Sequence, residues 1–310
     1  MTSRWREVIE LMAAAVTARG PATVVVDGTD PATVRSTSMR LAGALRGAVH
    51  DERTIAVGGG GDPVLVWLRT SRHHHAAEAN RGDGADIVVD LHDPAWPVVR
   101  HVAPRLLEHG RWYLRESRAF FGARAATWDA KFGDDLPAYA AAVGRAALPA
   151  GSVVLDAGCG TGRALPALRA AVGPEGVVLG LDLTPQMLDV ARARGERLVL
   201  ADARRLPFAG GALDAIFAAG LVMHLPDAAE GFRELARVTR PGGRLVLFHP
   251  SGRAALAARH GRVLRPDEPL APGPLAATCA GSGWELCDYD DGDERFFALA
   301  LRRPPAASGR

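Results

Sequence analysis

The sequence predicts an α/β protein with two domains, a smaller one followed by a larger one built on a mostly parallel sheet. From residue 152 onward, short apolar strands alternate with helical segments. This alternation is typical of a parallel sheet with helices on both faces. The 310 residues, 48% of them hydrophobic, are enough for about two such cores.

The alternating segment contains five predicted strands, at Val153–Ala157, Val177–Leu181, Arg197–Leu200, Leu213–Ala218 and Leu245–Phe248. The helices between them are predicted near Gly162–Ala171, Pro185–Arg194 and Ala228–Val238. After the Pro-rich stretch 266–274 come two final strands, near Trp284–Tyr289 and Phe296–Leu301. The short acidic turn between these two strands predicts an antiparallel hairpin.

Residues 1–105 follow a different pattern and are predicted to form the smaller α/β domain. An amphipathic helix covers residues 1–20, where Glu7 and Glu10 argue against a signal peptide. Three strands follow, at Thr23–Val26, Pro63–Leu68 and Asp86–Leu91. A helix is predicted near Ser38–Arg46 and a glycine-rich loop at Gly58–Gly61. The larger domain is assigned to residues 106–303, including aromatic helices over 106–145. The tail 304–310 is expected to be disordered.

Composition narrows the classes of function. The formal net charge is +2, from 37 basic and 35 acidic residues, which argues against a nucleic-acid-binding protein. No apolar run reaches the roughly 18 residues that a membrane span needs. The cysteines Cys159, Cys279 and Cys287 fit neither a metal site nor a disulfide framework, so a cytoplasmic location is expected. The run His73–His75 is interpreted as a solvated loop, and no metal is predicted.

A glycine-rich loop follows the first strand of the larger domain, in the run Val153-Val-Leu-Asp156-Ala-Gly158-Cys159-Gly160-Thr161-Gly162. Glycines without Cβ atoms let a ligand lie directly on the backbone. Such a loop occupies the edge of an open α/β sheet where ligands bind. Three glycines alone are a weak signal, because dinucleotide enzymes carry a related loop.

Three carboxylates at successive strand ends sharpen the prediction. Asp156 precedes the glycines and can reach a cationic amine, which a pyrophosphate-binding loop does not need. Asp182 ends the second strand, where it can accept both ribose hydroxyls. Asp202, followed by Ala203, ends the third strand, where it can take an adenine amino group. Together these contacts favour S-adenosyl-L-methionine over a nicotinamide dinucleotide as the cofactor.

These segments resemble the class I methyltransferases, and most of all their small-molecule branch, which is similar to enzymes of ubiquinone and menaquinone biosynthesis. The matching segments, in order, are VLDAGCGTGRALPAL, GLDLTPQMLDVARARG, LADARRLPF, AIFAAGLVMHLPD and ELARVTRPGGRLVLFHP. The resemblance implies a seven-stranded Rossmann-like sheet whose last strand is antiparallel. It also implies that Thr161, Leu183 and Gly220 line the cofactor pocket. Cys159 is interpreted as a small loop residue rather than a reactive thiol.

Two histidines are candidates for catalysis. His224 follows the fourth strand, and His249 closes the fifth, so both face the reactive end of the cofactor. Displacement at a sulfonium needs mainly alignment, and a general base only if the acceptor must lose a proton. Each histidine is therefore either a general base or a group that orients and packs. Arg253, His260 and Arg262 either bind an anionic substrate or form a solvated charged surface.

The helical segment before the sheet is a candidate lid. In similar enzymes such a helix covers the cofactor, and Tyr113, Phe121 and Trp128 are the aromatic candidates here. The alternative is that these rings are simply core.

The first domain resembles a uridine-kinase-like phosphate-binding domain in the run Val24-Val-Val-Asp27-Gly28 to Arg35-Ser36. A working loop ends in Gly-Lys-Ser/Thr, but here Thr33, Val34 and Arg35 stand in those places. A degenerate module without phosphoryl transfer is therefore expected, which packs on the larger domain, mediates a possible homodimer or helps enclose substrate.

The function predicted from the sequence is S-adenosylmethionine-dependent methyl transfer to a small-molecule acceptor at oxygen, nitrogen or carbon, in specialised metabolism. A quinone C-methyltransferase, a non-catalytic cofactor-binding scaffold and a dinucleotide oxidoreductase stay open. A nucleic-acid amine methyltransferase would carry an Asn/Asp-Pro-Pro-aromatic run after the fourth strand, where this chain reads Ala218-Ala-Gly-Leu-Val-Met-His224.

Overall fold

The computed structural model describes residues 2–58, 61–69, 84–91, 93–107, 111–132, 135–259 and 264–304. It divides into two compact units. The first unit comprises Met1–Ala119 and Ala257–Val263, and the second comprises Phe120–Leu256 and Leu264–Arg310. The α/β class predicted from the sequence is confirmed, because both units contain a sheet with parallel strands and packed helices.

The first unit is built on a mixed six-stranded sheet in the order β2-β3-β1-β4-β5-β6. Its elements are α1 (Ser3–Arg19), β1 (Ala22–Gly28), α2 (Pro31–Leu45), β2 (Ala48–Val49), β3 (Thr54–Val57), β4 (Val64–Arg69), β5 (Ile87–Asp90) and β6 (Val98–Val102). Strands β1, β4 and β5 are parallel, and the outer strands pair antiparallel with them or with each other.

Several predictions for the first unit need correction. The sequence patterns did not reveal β2, β3 or β6. Helix α2 begins at Pro31 rather than near Ser38, because Asp30 caps it and Pro31 takes the first helical position, which suits its fixed φ. The helix ends at Leu45, followed by Arg46 in the left-handed region at φ 52°.

The second unit contains a seven-stranded sheet in the order β12-β13-β11-β10-β7-β8-β9. Its strands are β7 (Val153–Ala157), β8 (Val177–Asp182), β9 (Arg197–Leu200), β10 (Leu213–Ala219), β11 (Thr239–His249), β12 (Trp284–Asp291) and β13 (Phe296–Arg302). The first five strands are parallel, whereas β13 is antiparallel to both of its neighbours. The predicted hairpin of β12 and β13 is confirmed.

Helices precede the sheet and connect its strands. They are α3 (Arg111–Gly122), α4 (Ala125–Phe132), α5 (Leu136–Ala146), α6 (Leu165–Val172), α7 (Pro185–Ala191), α8 (Ala228–Val238), α9 (Arg253–Arg259) and α10 (Pro272–Gly281). The unit boundary lies within α3, between Ala119 and Phe120. Helix α6 was predicted to begin at Gly162 but begins at Leu165, because Gly162 has a φ of +80°, which a helix cannot contain.

Both faces of this sheet are buried, which explains why its central strands read as continuous apolar runs. Successive residues point to opposite faces. Leu155, Ile216 and Leu247 belong to one apolar cluster, together with Phe232 of α8 and Trp284. On the other face, their chain neighbours pack with α5 and α6; these residues are Val154, Phe217, Val246 and Phe248. The five parallel strands therefore present their carboxyl ends at one edge.

Candidate functional site

The glycine loop joins β7 to α6 at that edge. Gly158, Gly160 and Gly162 have φ angles of 72°, 54° and 80°, in the left-handed region that favours glycine. A Cβ on Gly160 would meet no atom within 4 Å, whereas one on Gly162 would lie 2.9 Å from Cγ of Arg194. The missing side chain at Gly160 thus leaves space beside the loop backbone. The missing side chain at Gly162 allows Arg194 to pack against the loop.

Asp156 is a buried carboxylate without hydrogen-bond partners among the described residues. Its side chain is 1% exposed, and neither Oδ1 nor Oδ2 has a partner. Burial, reinforced by the nearby charge of Asp182, raises the pKa of Asp156 to about 8. An unpaired buried carboxylate is costly for a folded protein. The Asp156 carboxylate therefore has the charge and the free acceptor oxygens to pair with a cation.

Asp182 closes the loop against the end of β8. Its Oδ2 accepts the backbone N–H of Gly160 at 2.9 Å, and its Oδ1 accepts that of Thr184 at 2.8 Å. Burial raises the pKa of Asp182, although these two hydrogen bonds act in the opposite direction. Leu183, the next residue, is half-buried. The carboxylate therefore shapes the loop as well as standing beside Asp156.

Asp202 lies two residues beyond β9, which is the neighbour of β8, and it is paired with Arg204. The Asp202 Oδ2 accepts from Nε of Arg204 at 3.1 Å and from Nη2 at 2.8 Å. The side chains of Arg204 and Asp202 are 8% and 16% exposed, and Ala203 between them is buried. The sequence analysis treated Asp202 as an isolated acid and missed its guanidinium partner.

Two further loop residues are buried. Cys159 is 7% exposed, and burial raises the pKa of its thiol well above the usual value, which supports its interpretation as a small loop residue. Thr161 is fully buried, and its hydroxyl donates a hydrogen bond to Asp129 of α4.

Three residues predicted on the substrate side form one aromatic cluster. The His224 ring meets Phe121 edge to face, with centroids 5.1 Å apart, and Phe121 meets Trp128 at 5.8 Å. We call these three residues the aromatic cluster. Tyr113 belongs to the first unit, where its ring meets that of Trp112 edge to face at 6.4 Å.

His249 ends β11 and is held within its own turn. Its Nδ1 lies 3.1 Å from the backbone nitrogen of Ser251 and 3.0 Å from the carbonyl oxygen of the same residue. Gly220, at φ 68° after β10, donates its N–H to the carbonyl of Phe248 at 2.9 Å. A Cβ on Gly220 would lie 3.9 Å from the His249 ring. The ends of β10 and β11 therefore meet at these residues.

Arg253 was predicted either to bind an anionic substrate or to belong to a solvated charged surface. The second alternative is wrong for this residue, because its side chain is buried. Its side chain is 8% exposed, and its guanidinium lies 3.3 Å from Asp291 and 3.4 Å from Glu268. It also donates to the carbonyl of Arg265 at 3.2 Å. Two carboxylates thus already balance its charge. His260 and Arg262 lie outside the described residues.

The sequence analysis also assigned no role to Asp129, Arg163 and Arg194. Arg163 is buried between Asp135 and Asp129, and Arg194 donates to Asp129 at 2.9 Å. Burial raises the pKa of nearby Tyr139, with smaller contributions from Asp135 and Asp156. The sequence did contain one signal for this group. Asp129 is an acidic residue directly after the aromatic Trp128, inside the predicted lid helix.

In the first unit, the helix end that would bind phosphate in a working kinase loop holds a carboxylate of the chain itself. Asp30 accepts hydrogen bonds from the backbone of Ala32 and Thr33 and from the Thr33 hydroxyl. A negative charge at this helix end repels a phosphate. The phosphate-binding resemblance itself stays a prediction.

Three further predictions concern metal ligands, membrane spans and the C-terminal tail. His73–His75 lie outside the described residues, and so do residues 305–310 of the predicted tail. Within the described ranges, no group of three or more potential metal ligands comes together. In those same ranges, none of the helices has the length and apolar character that crossing a membrane requires.

Comparison with known proteins identifies the central part of the second unit. Residues 155–247 match the family described as "Methyltransferase domain". Methyltransferase GfsG of Streptomyces halstedii is 42% identical over 106 residues, covering 32% of this chain and 37% of that protein. The 27-O-demethylrifamycin SV methyltransferase of Amycolatopsis mediterranei is 33% identical over 174 residues, covering 54% of this chain and 56% of that protein.

A solved structure, that of a SAM dependent methyltransferase from Aquifex aeolicus, is 21% identical with a TM-score of 0.44, covering 52% of this chain and 87% of that one. The chain spans between 30% and 56% of the length of the first curated relatives it matches. Residues 155–247 therefore match a methyltransferase domain.

Proposed function

We propose that the protein transfers a methyl group from S-adenosylmethionine to a small organic acceptor. The observation that carries this proposal is Asp156, a buried carboxylate with no protein partner among the described residues, beside a loop that is open at Gly160. S-adenosylmethionine carries an ammonium and a sulfonium, and a cation is what an unpaired buried carboxylate requires. A nicotinamide dinucleotide presents a pyrophosphate at the equivalent loop, which Asp156 would repel.

The residues at the sheet edge fit this cofactor. Asp156 would hold the ammonium, Asp182 the ribose hydroxyls and Asp202 the adenine amino group, while Thr161 and Leu183 line the pocket. The Asp182 carboxylate has about four lone-pair positions, and the backbone N–H groups of Gly160 and Thr184 occupy two of them. The cofactor supplies a methyl group on a positively charged sulfur, which is already activated for displacement.

The chain's own residues then have to bind, orient and exclude water. In-line displacement depends on holding donor and acceptor at near-attack distance, which contributes much of the rate enhancement. The aromatic cluster of Phe121, Trp128 and His224 packs ring against ring and would exclude water beside the bound cofactor. His224 is packed edge to face against Phe121, which favours an orienting role over that of a general base.

His249 is the better candidate for proton removal from the acceptor. It ends β11, one of the strands whose carboxyl ends face the cofactor, and its ring is oriented through Nδ1 by Ser251. An imidazole held in a fixed orientation suits general-base catalysis. An acceptor hydroxyl or acidic carbon would use such a base.

The acceptor is a small organic molecule of specialised metabolism. The charge of Arg253, the candidate for binding an anion, is balanced by Asp291 and Glu268. The relative from Amycolatopsis mediterranei acts, by its name, on 27-O-demethylrifamycin SV, a small molecule. Both observations support an acceptor of this kind over a nucleic acid.

Calorimetry with the full chain tests the cofactor. S-adenosylmethionine and S-adenosylhomocysteine are expected to bind with micromolar affinity, while NAD is expected not to bind. Absence of binding by both adenosyl compounds would refute the proposal. Turnover is then measured as S-adenosylhomocysteine formed in the presence of hydroxylated polyketides, phenols and a demethylated quinone. Cofactor binding without turnover on any acceptor would instead identify a non-catalytic scaffold.

A further inference from the structure

The carboxylate of Asp129 joins three elements of the second unit. Asp129 belongs to α4, and its Oδ1 accepts a hydrogen bond from the hydroxyl of Thr161 in the glycine loop. Its Oδ2 accepts from Nη2 of Arg194 at 2.9 Å. Arg194 ends the short 3-10 helix that follows α7. One side chain therefore links a helix before the sheet to the loop and to the far side of that loop.

The side chain of Arg194 passes close to the third glycine of the loop. A Cβ on Gly162 would lie 2.8 Å from Cδ1 of Leu165 and 2.9 Å from Cγ of Arg194, and Gly162 has a φ of +80°. A side chain at residue 162 would therefore crowd both Leu165 and Arg194. Arg163 adds a second guanidinium, 3.4 Å from Oδ1 of Asp129. Two guanidinium groups and one hydroxyl thus donate to a single carboxylate. A neutral side chain at residue 129 could not balance their charge.

Asp129 is also the chain neighbour of the aromatic cluster. Trp128, the preceding residue, packs against Phe121, and Phe121 packs against His224 after β10. Asp129 supplies a polar link from this helix to the glycine loop, through its hydrogen bond with Thr161. The position of the cluster and the shape of the loop are therefore mechanically connected by this carboxylate.

We propose that Asp129 is a positioning residue that fastens the aromatic cluster to the glycine loop, so that cofactor binding orders both. This proposal rests on the proposed function, because the cofactor is what the loop holds. Its consequence is that S-adenosylhomocysteine should protect α4 as well as the loop, and that this coupling disappears when the carboxylate is removed. A residue that only stabilised the fold would not couple the two segments.

Hydrogen exchange of the full chain, with and without S-adenosylhomocysteine, tests the coupling. In the wild type we expect protection over residues 158–164 and over 120–132. In Asp129→Asn the affinity for S-adenosylhomocysteine should fall about tenfold, as expected for loss of a charge-assisted hydrogen-bond pair. Protection over 120–132 should be lost even at saturating ligand. Asp129→Glu should recover part of both.

The matched control is Asp135→Asn. Asp135 pairs with Arg163 as Asp129 does, but no described contact links it to Thr161 or Arg194. This variant should bind and protect as the wild type does. If Asp129→Asn does not fold, Thr161→Val removes the link from the other side and should show the same loss of coupling.

The outcomes separate the two proposals. If the wild type does not bind S-adenosylhomocysteine, the proposed function fails. If the wild type binds, but Asp129→Asn or Thr161→Val keeps its affinity within twofold and its protection over 120–132, the role of Asp129 is refuted. Steady-state kinetics give a second test. The role of Asp129 requires that Asp129→Asn raises the KM for S-adenosylmethionine and lowers kcat, while Asp135→Asn changes neither.

Discussion

The Asp182 carboxylate accepts the backbone N–H of Gly160 across 2.9 Å and so ties the glycine loop to the end of the neighbouring strand. The loop is also held by the carbonyl of Leu181, which accepts the N–H groups of Gly158 and Cys159, each at 2.8 Å. The acid that is proposed to bind the ribose therefore also builds the surface on which the cofactor lies.

Replacing Asp182 by Ala should impair both folding and binding. Two backbone N–H groups would lose their acceptor, which costs about 1–3 kcal/mol for a buried donor. We expect a lower free energy of unfolding in urea and at least tenfold weaker binding of S-adenosylhomocysteine by calorimetry. Asp189→Ala is the control, because Asp189 is exposed and forms an ion pair with Arg192 on the same helical segment. Wild-type affinity in Asp182→Ala would contradict the assignment.

Adding one methyl group to Gly160 should abolish binding while leaving the fold intact. The new Cβ would point into open space at φ 54°, so the cost is about 1–2 kcal/mol of backbone strain alone. The cofactor, however, would have to lie in that space. Gly173→Ala carries a similar strain at φ 70°, also without close neighbours, in the turn after α6. Equal affinities of the two variants would show that ligand does not lie against Gly160.

Two substitutions of His224 separate packing from proton transfer. Phenylalanine keeps the edge-to-face contact with Phe121, whereas alanine removes it at a cost of about 0.5–1.5 kcal/mol. We expect His224→Phe to match the wild type in urea denaturation and to retain turnover, and His224→Ala to be less stable. If both variants were equally inactive although His224→Phe was fully stable, His224 would be the base.

The protonation of Asp156 should make stability and binding depend on pH in opposite ways. Its pKa in the folded protein is about 8, above the ordinary 3.8, so between these values the folded state binds a proton that the unfolded chain has released. The stabilising contribution of this proton is complete below about pH 4 and is lost as the pH rises through about 8. A cationic ligand favours the ionised carboxylate, so its affinity should rise between pH 6 and 8.

Calorimetry in buffers of different ionisation enthalpy checks this linkage. Below pH 8, S-adenosylmethionine should release up to one proton on binding to the wild type. Asp156→Asn should bind weakly without that release, and its unfolding free energy should fall less between pH 6 and 8. Proton release unchanged in Asp156→Asn would assign the titration to another group, such as Asp182, whose charge acts on Asp156.

Local patterns in the sequence were sufficient where neighbours along the chain decide the structure. The predicted bounds of β7, β9 and α8 agree with the structure residue for residue. Each of these elements is an apolar run or an apolar helical repeat. Glycine, proline or an N-cap residue such as Asp227 marks its ends. Strands β2 and β3 were missed because they are only two and four residues long, and pairing with distant strands defines them.

The sequence by itself determined the α/β class, the glycine loop and the three strand-end acids, because strand order along the chain and left-handed glycines are local properties. Only the tertiary structure decided which charges are already balanced. Among the described residues, Asp156 has no hydrogen-bond partner, whereas Asp202 is held by Arg204. Arg253 is held by Asp291 and Glu268, and Asp129 accepts from Thr161. Such differences depend on packing between elements that are distant in sequence. This packing determines the solvent exposure of each carboxylate and the hydrogen-bond donors that surround it.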